Sequence, residues 1–225
     1  MKIRYPVITL LEDKRNKKMK YITIMLITIT LPSCNLFYKT VLGIKNPKME
    51  TYNTINEYAK TLTIDNKSLV FAKDSSSMYK LSDIFKGSPE ILIFNKAKTF
   101  LPYKEDSMAC NAPIGRFLKN ICAMETGHVV INREINYDHF LSLLDDHNNV
   151  LGNIKDTTID FIIFANFAKY VPKVNKTHIP TWDKDFNNHS GNCSAKIIYV
   201  DLDYLESWGI SKKSLPKLRI RPNKK

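Results

Sequence analysis

The sequence predicts an α/β domain, a central sheet with flanking helices, and three observations carry that prediction. Residues 90–95, 160–167 and 195–201 are short, almost continuously apolar runs, the pattern of strands covered on both faces. Stretches between them place apolar residues at helical spacing. The last two runs and the stretch that separates them make a βαβ unit, in which parallel strands and a right-handed crossover are the rule. With 225 residues, 44% of them hydrophobic and 11% aromatic, the chain can bury a core of this kind, which excludes global disorder.

In chain order, residues 51–62 hold Tyr52, Ile55, Tyr58, Ala59 and Leu62 at helical spacing and read as a short amphipathic helix. Residues 68–73 read as a strand. Residues 78–85 put Leu81, Ile84 and Phe85 on one helical side, and Gly87 stops that helix. The apolar run 90–95 is followed, after a short polar turn, by its hairpin partner at 99–104. Asn111 and Pro113 suit the start of a helix that runs to Cys122 with Ile114, Phe117, Leu118 and Ile121 inward. Residues 128–131 read as a short strand. Residues 136–147 read as a helix carrying Phe140, Leu141, Leu143 and Leu144. After the run 160–167 comes a loop, 168–175. A helical stripe of Val174, His178, Trp182 and Phe186 follows, interrupted by Pro180. Residues 187–194 form a polar loop before the strand 195–201. This domain spans 51–220, with a candidate subdivision at 150–158, and ends in a basic tail, 221–225.

The net charge of +12 sits at the ends of the chain. Residues 1–34 carry 7 Lys/Arg and 2 acids, residues 212–225 carry 7 and none, and residues 35–211 carry 20 of each. The folded body is neutral, which excludes a broad basic face of the kind that binds nucleic acid.

Lys14-Arg15-Asn16-Lys17-Lys18-Met19-Lys20 is a dense positive run, and residues 21–32 are uncharged and mostly apolar. A positive region, a short apolar region and a small residue ahead of a cut describe a secretory signal peptide, here 1–33. Met19 offers an alternative start. The apolar run is shorter than the roughly 20 residues of a membrane-spanning helix. Leu31-Pro32-Ser33-Cys34 resembles a bacterial lipobox, in the form found in Bacteroidetes lipoproteins. That resemblance implies a lipidated Cys34 at the mature N-terminus, held in a bilayer by several acyl chains, with residues 34–50 as a tether. It places the protein in the bacterial envelope, facing the periplasm, with the lipid bilayer as its first partner.

The second strand–loop–helix resembles the thioredoxin superfamily. In that family a buried strand ends in an aromatic-rich turn, then Cys-Gly-Pro-Cys, a proline-kinked helix, and a strand ending in acidic residues. The corresponding pieces are residues 161–167, Tyr170-Val171-Pro172-Lys173, the helix with Pro180, and residues 197–203. The family then has a short helix, a Tyr-Gly-Ile-like turn and a cis-proline ahead of a strand. Here residues 204–207, Trp208-Gly209-Ile210 and Pro216 follow in that order, and residues 79–85, Ser88-Pro89 and 90–94 repeat the pattern earlier. The resemblance implies a thioredoxin-like three-layer sandwich with a central mixed sheet. Two departures stand out. Tyr170 and Lys173 occupy the positions of the redox cysteines, and neither can carry out thiol–disulfide exchange. The strand–hairpin–helix block, 90–122, also precedes the βαβ block, 160–203, the reverse of the family order. Either the fold is circularly rearranged or residues 50–150 form a layer of their own.

With Cys34 assigned to lipid, Cys110, Cys122 and Cys193 remain, an odd number. Cys110 and Cys122 on one helix would stand about 18 Å apart, too far for a disulfide, whose Cα atoms lie within about 7 Å. Cys110 lies before the helix, so a fold-back onto Cys122 stays open; Cys193 could instead pair with Cys110 across the fold, and the plainer reading of Cys122 is a buried inert thiol. Cys110, in a polar loop at a helix start, is the candidate for a lone reactive cysteine. His139 and His147, with Asp138, Asp145 and Asp146, read as a solvated acidic helix end and not as a metal site. His178 and Trp182 beside Tyr170 offer a small aromatic pocket, or plain core packing. Asp201 and Asp203 end a parallel-type strand, where α/β sheets bind ligands, and could meet Lys173 there. The plainer reading is a solvated strand exit. No phosphate loop, nucleophile elbow or zinc-protease motif is present in the sequence, and no cofactor is implied. The basic stretch 212–225 can touch anionic headgroups or supply a last strand through Leu215, Leu218 and Ile220. Together these point to a membrane-tethered lipoprotein whose redox-inactive domain binds or scaffolds an envelope protein or peptide. The alternative is a thiol-dependent enzyme using Cys110.

Overall fold

The structure, a computed structural model, describes residues 43–103, 114–123, 134–152, 159–188 and 191–216. In chain order they form β1 (Met49–Glu50), α1 (Tyr52–Thr61), β2 (Leu69–Ala72), α2 (Ser75–Phe85), β3 (Ile91–Asn95), β4 (Phe100–Leu101), α3 (Ile114–Lys119), α4 (Tyr137–Ser142), β5 (Leu144–Asp145), β6 (Phe161–Phe167), α5 (Pro172–Asn187), β7 (Ala195–Asp201) and β8 (Tyr204–Leu205). Six strands make one mixed sheet in the order β4-β3-β6-β7-β2-β5, and β1 pairs with β8 beside it.

The sheet grows outward from the βαβ unit. β6 and β7 run parallel in register from Phe161 opposite Ala195 to Phe167 opposite Asp201. β2 adds in parallel to β7, and β3 adds antiparallel to β6. The hairpin to β4 turns at Lys98, whose φ is +62°, with the Asn95 side chain accepting from Thr99 N–H at 2.9 Å. Side chains alternate between two faces, as the pleat requires. Val70, Leu92, Phe94, Phe164 and Val200 meet α2 and α4 through Met78, Leu81, Phe85, Tyr137 and Phe140. Leu69, Phe71, Ile93, Ile163 and Phe167 meet α1, α3 and α5 through Ile55, Ala59, Ile114, Phe117, Leu118, Ile179 and Trp182. Both faces are therefore dry, which is why these strands read as continuous apolar runs. The result is a mixed α/β sheet with helices on both sides.

Helix starts follow local chemistry. Thr51 caps α1 in a reciprocal box with Thr54, Asp74 caps α2, and Asn136 caps α4 by accepting from His139 N–H. A polar residue inside an apolar strand does a separate job. Asn166 on β6 is fully buried; its side-chain oxygen accepts from Glu90 N–H at 2.9 Å and its amide donates to the Gly87 carbonyl at 2.7 Å. It thereby clamps the turn ahead of β3, in which the Ser88–Pro89 bond is cis.

Several expectations are corrected. The helix predicted over 136–147 stops at Ser142, because Leu144 and Asp145 bond to the open edge of β2 as a strand. His147 therefore leaves the helix and stacks on Tyr52, with ring centroids 4.2 Å apart. The loop predicted over 168–175 is shorter, since α5 begins at Pro172, a residue suited to a first helical position. Its buried stripe is Asn175, Ile179 and Trp182, one residue along from the predicted Val174 and His178. Tyr204 and Leu205 form β8 in place of a helix. The residues read as the end of a tether pack on the domain from Ile44 onward: Lys45 N–H donates to the Tyr170 carbonyl, and Ile44 joins the core. The predicted strand 128–131 and residues 217–220 lie outside the described residues.

The cysteine reading is also corrected. Cys122 is not an inert thiol: it bonds Cys193, with Cα atoms 5.3 Å apart. The short helical turn after α3 brings Cys122 against the loop that enters β7, two segments that sequence spacing does not connect. The bridge closes a loop across 71 positions, which in the chain-entropy picture stabilises by about 4 kcal/mol. The Cys122→Ala, Cys193→Ala double variant should unfold at a clearly lower urea concentration than the oxidised protein. Reductant should lower the midpoint of the wild type and leave that of the variant unchanged.

Candidate functional site

Parallel strands end together. β6 and β7 therefore deliver Lys169, Tyr170, Asp201 and Asp203 to one end of the sheet, beside the first turn of α5. Asp201 is paired on both sides, opposite Phe71 of β2 and Phe167 of β6, and is 1% exposed. Asp203 is 2% exposed. The acids predicted to form a solvated strand exit are thus sealed in, and the chain goes straight on into β8, which pairs with β1.

Backbone donors hold the pair. Lys169 N–H donates to Asp203 Oδ2 at 2.6 Å, and Asp203 N–H donates to Asp201 Oδ2 at 3.2 Å. Asp201 Oδ1 is buried without a hydrogen-bond partner. Burial drives the Asp201 carboxyl well above the usual carboxylate range, and the charges of Asp203 and Glu50 push it further. Burial lifts Asp203 to about 6 against the opposing pull of Asp201 and the Lys169 N–H. Both carboxyls are therefore easier to protonate than an exposed aspartate.

Lys169, which the sequence did not single out, supplies a cation beside these acids. Its ammonium pairs with Glu50 Oε2 at 2.5 Å, and Glu50 also accepts from the Thr54 hydroxyl at 2.8 Å. Lys173 is exposed, and its stem lies over Gly43, where a Cβ would come within 2.6 Å of Lys173 Cγ. Gly43 has φ +65°, so a side chain there would be strained as well as crowded.

Tyrosines ring the acids. The Tyr170 hydroxyl is pushed strongly upward by burial and by the charges of Asp203 and Asp201. Tyr204 donates to the Tyr79 hydroxyl at 3.2 Å, and Tyr79 is 54% exposed. Asn175, fully buried, donates to the Ala168 carbonyl at 2.7 Å and to the Tyr58 hydroxyl at 3.0 Å, while its own oxygen has no partner. The arrangement can orient tyrosine hydroxyls and store a proton. It presents no thiol and no nucleophile–base pair.

The other predicted residues lie elsewhere. His178 and Trp182 pack with ring centroids 5.8 Å apart, on the face of the sheet opposite the cluster that Tyr170 joins, so the three build no common pocket. Cys34 and Cys110 lie outside the described residues. His139 lines a cleft of about 430 Å3 with Lys80, Lys86, Asp83 and Glu134, where both charge signs alternate. Among the described residues no group of three His, Cys, Asp or Glu side chains could hold a metal ion, and no helix is long and apolar enough to cross a membrane. Lys169, Glu50, Tyr58 and Asn175 were not read as site residues; Glu50 and Lys169 lie 119 positions apart, and nothing local links them. Comparison with protein-family models, with curated proteins and with solved structures finds no match.

A buried acid whose folded value is raised binds its proton more tightly in the native state than in the unfolded chain. Its contribution is most favourable below the unfolded value and is lost as pH rises through about 6. The protein should therefore lose stability between pH 5 and pH 7.5, measured as a falling urea midpoint. Asp203→Asn should flatten that decline and raise the midpoint at pH 7.5, since the amide oxygen can still accept from Lys169 N–H.

Proposed function

We propose that the protein is a lipid-anchored envelope protein whose thioredoxin-like domain lacks redox chemistry and works as a binding or scaffolding module. The observation that carries this reading is the neighbourhood of β6, α5 and β7. A parallel βαβ unit lies beside the antiparallel β3–β4 hairpin, and α3 shares a face with α5 while α2 lies on the other. That is the reading in which the two blocks have exchanged order along the chain and remain side by side in space. At the start of α5, where a redox pair would stand, are Tyr170, Val171, Pro172 and Lys173. Beneath them is a closed acid–tyrosine network, which suits recognition by rigid aromatic side chains better than electron transfer.

The Cys122–Cys193 bond supports the envelope location, because such bonds persist in oxidising compartments and are rare in the cytosol. The lipid anchor rests on the run Leu31-Pro32-Ser33-Cys34 behind its positive and apolar regions.

Both parts are open to test through the sulfurs. Of four cysteines, two are bonded to each other, and an acylated Cys34 would leave Cys110 as the single titratable thiol in unreduced, denatured protein. Two thiols per chain would refute lipidation, as would a Cys34→Ala chain that keeps both its mass and its membrane fraction. If Cys110 in the native protein alkylates far faster than a free thiol near neutral pH, the module reading gives way to a cysteine enzyme.

A further inference from the structure

We infer that the end of the domain carrying Gly43, the start of α5 and residues 206–214 is a basic face that lies against anionic lipid headgroups of the anchoring bilayer. This rests on the lipid-anchor reading above and adds to it an orientation and a lipid preference.

Three observations place the basic groups together. Lys45 N–H donates to the Tyr170 carbonyl at 2.7 Å, and Gly43 packs under Lys173, so the chain from the anchor arrives at the α5 start. β1 pairs with β8, which follows β7 directly, so the chain leaves the sheet toward the C-terminus at this end too. Lys45, Lys48, Lys173, Lys212 and Lys213 are all exposed here. The acids at this end are differently placed. Among the described residues, Asp201 and Asp203 are buried and Glu50 is paired with Lys169, while Glu206 and Asp74 are exposed, the latter beside the exposed Lys73. The outward charge is therefore strongly positive on a domain whose body is neutral overall. In sequence, Lys217, Arg219, Arg221, Lys224 and Lys225 follow directly.

Chain length selects the bilayer as the occupant. Gly43 is nine residues beyond Cys34, and at about 3.5 Å per residue that span reaches at most about 30 Å. An acylated Cys34 keeps this end near the headgroups, where lysines are attracted to anionic lipid within a screening length. The opposite end carries Lys67 ahead of β2 and Lys96 after β3, both exposed, and these serve as internal references.

The test uses the full lipidated chain in vesicles of phosphatidylcholine alone or with phosphatidylglycerol, labelled with an amine-reactive reagent and read by mass spectrometry. Lys45, Lys48, Lys212 and Lys213 should label about fivefold more slowly on the anionic vesicles at low salt, with Lys67 and Lys96 unchanged and the protection gone at high salt. The Lys45→Gln, Lys48→Gln, Lys212→Gln, Lys213→Gln variant alters only exposed positions and should keep the wild-type circular dichroism. It should also lose the lipid dependence of labelling at Lys173. Equal labelling on both vesicles, or protection of Lys67 and Lys96 instead, overturns the proposal. A chain without acyl mass that leaves neutral vesicles defeats the anchor reading alone. The face is then read by co-sedimentation with anionic vesicles, where binding equal in wild type and variant overturns it.

Discussion

The parallel pairing of β6 with β7 organises this domain. Seven consecutive residue pairs join the two strands, and each strand then accepts a different neighbour, β3 on one side and β2 on the other. Because the two strands run the same way, their carboxyl ends coincide, and the crossover helix must start where β6 stops. Lys169, Tyr170, Asp201 and Asp203 share one small region for that reason. Asp201 lies in the ladder with a strand on either side and is almost wholly buried.

The electrostatic consequence is a buried group with more acid than base. Glu50, Asp201 and Asp203 face one ammonium, Lys169. Burying charge is costly unless it is paired or protonated; here Lys169 pairs with Glu50, and burial raises both aspartates toward the protonated form. The same contacts fasten residues 43–50 to the domain. Glu50 reaches Lys169, Lys45 reaches Tyr170, and β1 lies along β8. Residues 43–50 are therefore part of the fold, held there by the same polar network.

The strands with two covered faces were legible in the sequence, because an uninterrupted apolar run such as Ile162–Ile163–Phe164 has few other stable uses. The helix facing them was legible in type but one residue out in phase, since Pro172 moves the start forward and Ile179, not His178, turns to the sheet. What stayed hidden were pairings between distant segments. β5 looks helical until the edge of β2 is available to it. The Cys122–Cys193 bond joins positions 71 apart, and Glu50 with Lys169 joins positions 119 apart. The site was half visible: Asp201 and Asp203 were read as candidates, while the burial of Asp201 between β2 and β6 rests on the pairing of distant segments. Asn166 is the case where a signal existed, a lone amide inside an apolar strand, whose purpose only the Gly87–Glu90 turn explains.

The proposed thioredoxin-like reading turns on the start of α5, where tyrosine and lysine stand three residues apart in the positions of a redox pair. Replacing both with cysteine, Tyr170→Cys with Lys173→Cys, asks whether the scaffold has the geometry even though the side chains do not. If the reading is right, the variant forms a second disulfide beside Cys122–Cys193 that dithiothreitol opens and air closes, with a lowered pKa for the exposed thiol at the helix start. Two independent thiols that titrate like free cysteine, in a protein with wild-type circular dichroism, would refute it.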